Sequence, residues 1–188
     1  MWTTSRRCTR TSTCRRKSSR PPRVILGVDP GTTGMGYALL DAATDPATIV
    51  DCGLVPVLAS ASAADRLLAI ARELDALIAR HAPAALALER LYFNKNAKTA
   101  MRVAEARGVV LLCAARAGLS VAEYTPQEVK LSVTGTGSAD KKQVQRMLAM
   151  VLALADPIAQ DNVADAVAIA LAHAQRERFG AAVALATS

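Results

Sequence analysis

Val24-Ile25-Leu26-Gly27-Val28-Asp29 is an apolar run that ends in an acid, and a proline–glycine turn follows it at 30–31. A short apolar run bounded by turn residues predicts a buried β-strand. The same pattern recurs at 84–89, which ends in Glu89, and Asp165 interrupts the apolar run at 163–167. An ionised carboxylate is costly to bury unless it is paired or binds a metal. Acids in three such places therefore indicate a shared cation and metal-ion chemistry.

The composition favours one globular domain with an aliphatic core. The chain has 188 residues, of which 52% are hydrophobic and only 3% aromatic. Its apolar runs are shorter than the roughly 20 residues that span a bilayer, so we expect a soluble protein with no membrane partner. The four cysteines have neither zinc-site nor disulfide-framework spacing, which favours the reducing cytoplasm.

The net charge of +7 is unevenly distributed along the chain. Residues 1–23 hold eight basic residues and no acid, which leaves 15 basic and 16 acidic residues in the remainder. Within that remainder, residues 90–146 carry ten basic and four acidic residues. Such a local excess suits a polyanion held near the carboxylates, and the alternative is a basic solvated surface.

Both ends of the chain are predicted to lie outside the domain. Residues 1–22 are rich in Arg, Ser and Thr and end in two prolines, which predicts a disordered basic arm. A transit peptide or a gene start placed too early would have the same composition. We expect one domain over 23–178 and a flexible tail over 179–188.

The order of the predicted elements favours an α/β fold, in which a mixed sheet is flanked by helices. Strands are predicted at 23–29, 35–41, 48–56, 84–88 and 121–124. Helices are predicted at 63–80, 97–117 and 126–133, from an N-cap at Ser138 to residue 154, and at 161–178.

Six blocks of the sequence are typical of one family. They are Gly27-Val28-Asp29-Pro30-Gly31, Leu88-Glu89-Arg90-Leu91-Tyr92-Phe93-Asn94-Lys95-Asn96, Ala104-Glu105-Ala106-Arg107-Gly108, Thr125-Pro126-Gln127-Glu128-Val129-Lys130, Val133-Thr134-Gly135-Thr136-Gly137-Ser138-Ala139-Asp140-Lys141 and Ala164-Asp165-Ala166-Val167-Ala168. In order and spacing they resemble the RuvC-type Holliday junction resolvases, over roughly residues 23–175. The resemblance implies a ribonuclease H-like mixed five-stranded sheet. It also implies an endonuclease that hydrolyses two symmetric phosphodiesters in a four-way DNA junction, in recombination and repair.

The resemblance implies two divalent ions, Mg²⁺ or Mn²⁺, held by Asp29, Glu89 and Asp165. Relatives usually place another acid, or a His, one helical turn before the last of these, where this chain has Asn162. A neutral amide oxygen ligates weakly, so we expect Asn162 to be a weak or indirect ligand and Mn²⁺ to be preferred. Asp161 is the alternative if the helix starts one residue late, although an ideal helix turns it about 100° away.

The resemblance also implies a DNA-binding surface. Lys130 and Lys141 would approach the scissile strand and stabilise the charge of the transition state. Tyr92, or Phe93 beside it, would stack on a junction base. The expected contacts with the DNA backbone are Arg90, Lys95, Asn96, Lys98 and Lys142. The alternatives are solvated lysines and a Tyr92 that belongs to the core.

Family resemblance implies two protein partners. Small side chains along the helix at 97–117 allow a second helix to approach, and the family dimerises through this element. A branch-migration complex of RuvA and RuvB type is implied as well. Two other function classes stay open: a junction-binding module whose metal site Asn162 disables, and an actin-like ATPase, which also has a strand ending in Asp-x-Gly-Thr but needs two such domains.

Overall fold

The computed structural model describes residues 23–30, 34–55, 61–90 and 97–187, and in the last range the side chains from residue 100 onward. The predicted basic arm at 1–22 lies outside these residues. So do the expected DNA contacts Tyr92, Phe93, Lys95 and Asn96, and the side chain of Lys98.

The centre of the molecule is a mixed sheet of five strands, as predicted. The strands are β1 (Val24–Asp29), β2 (Gly36–Asp41), β3 (Thr48–Leu54), β4 (Ala85–Glu89) and β5 (Ser120–Tyr124), and their order in the sheet is β3-β2-β1-β4-β5. The first three strands pair antiparallel, whereas β4 pairs parallel with both β1 and β5. The carboxyl ends of β1, β4 and β5 therefore meet at one edge of the sheet.

The helices are α1 (Ala63–His81), α2 (Ala97–Arg116), α3 (Pro126–Thr134), α4 (Lys141–Val151) and α5 (Asp161–Ala186). In the part of the chain that the structure describes, none of them is long and apolar enough to cross a membrane.

Three predicted helix boundaries are wrong by two or more residues. The N-cap of α4 is Asp140, not Ser138, because Asp140 and Gln143 each accept a hydrogen bond from the other's backbone N–H. The helix also ends at Val151, three residues before the predicted end. At the third boundary, α5 runs past Arg178 to Ala186, because the alanine-rich end of the chain has high helix propensity.

The two faces of the sheet carry separate layers of the core. Ile25 of β1 points to the layer formed with α3, α4 and α5, whereas Leu26 and Val28 point to the layer formed with α1 and α2. This alternation is the period of two expected of a strand that is buried on both faces.

Two glycines allow α5 to lie directly on β1 and β2. A Cβ atom on Gly27 would lie 2.3 Å from the carbonyl oxygen of Ala166, and one on Gly36 would lie 2.0 Å from that of Asn162. No side chain fits at such distances. The first turns of α5 are therefore held against the sheet where β1 ends and β2 begins.

Candidate active site

Two strands and one helix bring three carboxylates to the same edge of the sheet. Asp29 ends β1 and Glu89 ends the parallel neighbour β4. Asp165 comes from α5, whose first turn packs on Gly36, the residue that pairs with Asp29 across β1 and β2. The architecture thus assembles acids that are 136 positions apart in the numbering, from Asp29 to Asp165.

The electrostatics of the site show that these acids act on one another. Burial raises the pKa of Asp29 to about 7, with further upward contributions from the charges of Asp165 and Glu89 and a downward one from Lys141. Burial and the charge of Asp165 also raise the pKa of Glu89. For Asp165, burial raises the pKa, Lys141 lowers it and Asp161 raises it. Mutual repulsion of buried carboxylates is what a shared cation relieves.

The donors at this edge suit a hard divalent cation. All are oxygen atoms, which Mg²⁺ and Mn²⁺ prefer. Among the described residues, however, no three Asp, Glu, His or Cys side chains form a group arranged to hold a metal ion. The positive charge beside them is the Lys141 ammonium, 3.1 Å from Asp161 and 3.6 Å from Asp165. The residues therefore fit a divalent ion by charge and donor type, and they would have to draw closer around it.

Asn162 ties the start of α5 to the connection between β1 and β2. Its Nδ2 donates a hydrogen bond of 2.8 Å to the carbonyl oxygen of Gly34. An amide can make this bond and still offer Oδ1 to a cation, whereas an ionised carboxylate has no proton to donate. The amide at this position thus has a bond that an ionised acid in its place could not make.

Asp161 faces α4. Its two carboxylate oxygens lie 3.0 Å from Gln145 Nε2 and 3.1 Å from Lys141 Nζ. The helix begins at Asp161 itself, so it lacks the later start on which the alternative of Asp161 as a ligand depended. Asp161 instead holds the lysine that lies beside Asp165.

Three other described cations were predicted to contact DNA, and one of them lies near the carboxylates. The charge of Lys130 lowers the pKa of Asp165, which places this lysine near the site. Lys142 is exposed on the first turn of α4. Arg90 follows Glu89 directly and is also exposed, with Nε 3.9 Å from Glu123 Oε2.

Arg107 is a site residue to which the sequence reasoning assigned no role. Its Nη1 donates a 3.1 Å hydrogen bond to the backbone carbonyl of Glu89, and its Nη2 lies 2.5 Å from Glu123 Oε1. The sequence offered one signal for it, a charged residue between the apolar Ala106 and Val110 in a predicted helix. The structure buries both of these neighbours. A charged side chain on the buried side of a helix needs a partner.

Comparisons with known proteins match most of the chain. The family model of the crossover junction endodeoxyribonuclease RuvC matches residues 25–173. The chain is 46% identical over 151 residues to RuvC of Pelotomaculum thermopropionicum, covering 80% of this chain and 92% of that protein. It is 48% identical over 153 residues to RuvC of Moorella thermoacetica, covering 80% and 90%.

A solved structure of Thermus thermophilus RuvC in complex with a Holliday junction substrate has a TM-score of 0.79 and 32% sequence identity to this chain. The match covers 84% of this chain and 96% of that one, and it confirms the predicted ribonuclease H-like fold. The chain therefore belongs to the RuvC family of crossover junction endodeoxyribonucleases.

Proposed function

We propose that this protein resolves four-way DNA junctions by a symmetric pair of metal-dependent cuts, which leave 5′-phosphate and 3′-hydroxyl ends, in recombination and DNA repair. The observation that carries the proposal is the convergence of Asp29 at the end of β1, Glu89 at the end of the parallel strand β4 and Asp165 on α5 at one edge of the sheet. Membership of the family supports the substrate, since the similar Thermus protein was solved with a Holliday junction.

Asp29, Glu89 and Asp165 would hold the divalent ions, two per site, and Asn162 would offer its amide oxygen. When bound, such ions activate the attacking water and stabilise the leaving 3′ oxygen. The protein's own contribution is to keep three carboxylates at an edge where partial burial strengthens their mutual repulsion. Because Asn162 adds no charge, we propose that Mn²⁺ supports a faster reaction than Mg²⁺.

Lys141 and Lys130 bind the phosphate in this proposal. Lys141 is 52% exposed although it contacts Asp161 and Asp165, so an incoming phosphodiester can reach the ammonium without unfolding the site. The extra negative charge of the transition state strengthens such contacts. Asp161 keeps Lys141 in place until the phosphate arrives.

The rest of the DNA surface extends outward from Glu89 and α4. Arg90 and Lys142 are exposed and are proposed to contact the backbone. Tyr92, or Phe93, is proposed to stack on a base. Further backbone contacts are proposed for Lys95, Asn96 and Lys98, on the family resemblance alone.

Two symmetric cuts require two active sites, and we propose a homodimer that pairs through α2. Met101, Glu105, Gly108 and Leu112 are exposed at spacings of three and four residues, which place them on one face of the helix. Met101 and Leu112 are 64% and 58% exposed, which suits a partner surface. A partner complex of RuvA and RuvB type and a cytoplasmic location are proposed on family grounds.

The test is cleavage of a synthetic four-way junction in Mg²⁺ and, separately, in Mn²⁺, with Asp165→Asn and a linear duplex of the same sequence as controls. We expect paired symmetric nicks in the junction only, faster in Mn²⁺, and none with Asp165→Asn. Equal rates in the two metals would contradict the role given to Asn162.

A second candidate function is junction binding without cleavage, and Asn162 in the place of an acid is the observation that favours it. Tight, structure-selective binding with no nick in either metal would establish this candidate. A wild-type protein that neither binds nor cuts the junction would contradict both.

A further inference from the structure

We propose that Arg107 is a positioning residue for Glu89, and that it acts by holding the backbone carbonyl of Glu89 with Glu123 as its fixed partner. The inference rests on the proposed function, because that function makes Glu89 a metal ligand. Arg107 belongs to the sequence block at 104–108, to which the proposed reaction gives no other task.

The peptide group that follows Glu89 is held at both of its polar atoms. Arg107 Nη1 donates to its carbonyl oxygen at 3.1 Å, and its N–H, which belongs to Arg90, donates to the carbonyl of Tyr124 at 2.7 Å. The ladder between β1 and β4 pairs residues up to Leu88, and Pro30 has no N–H to extend it. At the end of β4, the Arg107 guanidinium therefore supplies to the Glu89 carbonyl the hydrogen bond that a neighbouring strand would otherwise donate.

The guanidinium itself is fixed in position. Its side chain is only 15% exposed, and its second nitrogen lies 2.5 Å from Glu123 Oε1 on β5. Two different nitrogens of one rigid plane thus hold acceptors on β4 and β5 at the same time. A lysine at this position would have a single nitrogen and could not keep both contacts in this geometry.

Glu123 connects this arrangement to the DNA surface. Its other oxygen lies 3.9 Å from Nε of Arg90, the proposed backbone contact. Arg107 is also on α2, whose opposite face is proposed to meet the second copy. The pair of Arg107 and Glu123 therefore connects α2 with Glu89, the proposed metal ligand, and with Arg90, the proposed DNA contact. From this place it can fix the direction of the Glu89 carboxylate.

A purely structural ion pair is the competing interpretation, and the two differ in what they change. If the pair is purely structural, its removal lowers the melting temperature and leaves the affinity of the folded protein for metal unaltered. A positioning residue changes the metal affinity, because the carboxylate that binds the ion is no longer held in direction.

The experiment compares Arg107→Gln, Arg107→Lys and Glu123→Gln with wild type. Arg116→Gln is the matched control, because it removes an ion pair of α2 with Asp75 (3.5 Å) by the same substitution. Three quantities are measured: Mn²⁺ binding to the DNA-free protein by calorimetry, the Mn²⁺ concentration for half-maximal cleavage, and the junction Kd in EDTA.

We expect Arg107→Gln to weaken Mn²⁺ binding and raise the half-maximal concentration by roughly 10-fold, as partners of metal ligands do. Arg107→Lys and Glu123→Gln should show smaller changes in the same direction, and Arg116→Gln should match wild type. The junction Kd of Arg107→Gln should stay within about twofold of wild type, since the proposed phosphate contacts remain.

A folded Arg107→Gln with wild-type Mn²⁺ affinity, or one that changes only the melting temperature, would overturn the inference. Should Arg107→Gln fail to fold, Arg107→Lys and Glu123→Gln decide the question by the same measurements. A wild type that binds Mn²⁺ and cuts, beside unaffected variants, refutes this inference alone. A wild type that does neither refutes the proposed function as well.

Discussion

At the scale of single residues, Asp29 links stability to function. Burial raises its pKa from the usual 3.8 to about 7, with added contributions from two neighbouring carboxylates. Between these two pH values the unfolded chain releases the proton and the folded protein keeps it. The stability of the metal-free protein therefore falls as the pH rises through this range, and the loss is complete above about pH 7.

Asp29→Asn should accordingly stabilise the metal-free protein while it abolishes cleavage. Urea unfolding in EDTA should show a gain at pH 8 of at most about 4 kcal/mol, since one pKa unit corresponds to about 1.4 kcal/mol. The gain should shrink towards pH 4. Asp156→Asn, at an exposed carboxylate, is the control and should change stability by less than about 0.5 kcal/mol. An Asp29→Asn protein that is less stable than wild type at pH 8 would contradict the charge argument.

Asn162 gives a second prediction at this scale, because its amide donates to Gly34. In EDTA, Asn162→Asp should lower the free energy of unfolding by about 1–2 kcal/mol, since the ionised acid loses the bond and adds a buried charge. Mg²⁺ should recover this loss for Asn162→Asp but not for Asn162→Ala, which offers no ligand atom. Thermal unfolding in EDTA and in Mg²⁺ checks the pattern. Wild-type stability of Asn162→Asp in EDTA would show that the bond to Gly34 contributes nothing.

The sequence reveals the acids of the site more readily than their partners. Asp29, Glu89 and Asp165 stand out because a charge in an apolar run has a cost that can be seen locally. The bond from Asn162 to Gly34 spans 128 positions, and Arg107 reaches Glu89 across 18. Such contacts depend on how the elements pack, which no local pattern reports.

At the scale of elements, apolar periodicity between turn residues predicts the strands and helices. Where a helix begins depends on which of several candidate residues caps it. Ser138 and Asp140 are both good N-caps. Asp140 prevails because Gln143 stands three residues later and returns its hydrogen bond. The predicted end of α5 at residue 178 is too early because alanine favours helix even when it is exposed.

The close contact of α5 with β1 at Gly27 leads to a third prediction. Gly27→Ala would place Cβ 2.3 Å from the Ala166 carbonyl, so helix and strand must separate. We expect a loss of about 1–3 kcal/mol or more, as in overpacked cores, together with reduced metal binding because Asp165 moves away from Asp29.

Gly180→Ala is the matched control for this prediction, because Gly180 lies in the same helix with nothing within 4 Å of an added Cβ. It should stabilise the helix by about 0.5–1 kcal/mol. Chemical unfolding of both variants measures the difference. Equal effects of the two substitutions would show that the close approach at Gly27 does not position α5.

At the scale of the whole molecule, charge and apolar surface are separated. The half-buried acids lie at one sheet edge, where Lys130 of α3 and Lys141 of α4 act on Asp165. The exposed face of α2 carries the apolar side chains of Met101 and Leu112 on either side of Glu105. This arrangement suits the proposed symmetric nuclease, in which the sheet edge would attract a polyanion and α2 would accept a second copy. The proposed pairing through α2 could not be derived from the pattern of that helix, because a helix packed on its own sheet has the same spacing of small residues.

Leu112→Glu tests this division of surfaces. Leu112 is 58% exposed on α2, so the substitution should leave the fold and melting temperature nearly unchanged while two like charges oppose each other across a two-fold axis. Sedimentation should find monomers at concentrations at which wild type is dimeric. On a four-way junction the variant should produce single nicks that are not followed by the opposing cut, because the two sites no longer arrive together. Met150→Glu, at an exposed apolar residue of α4, should remain dimeric. A dimeric Leu112→Glu protein that still makes paired cuts would place the interface elsewhere.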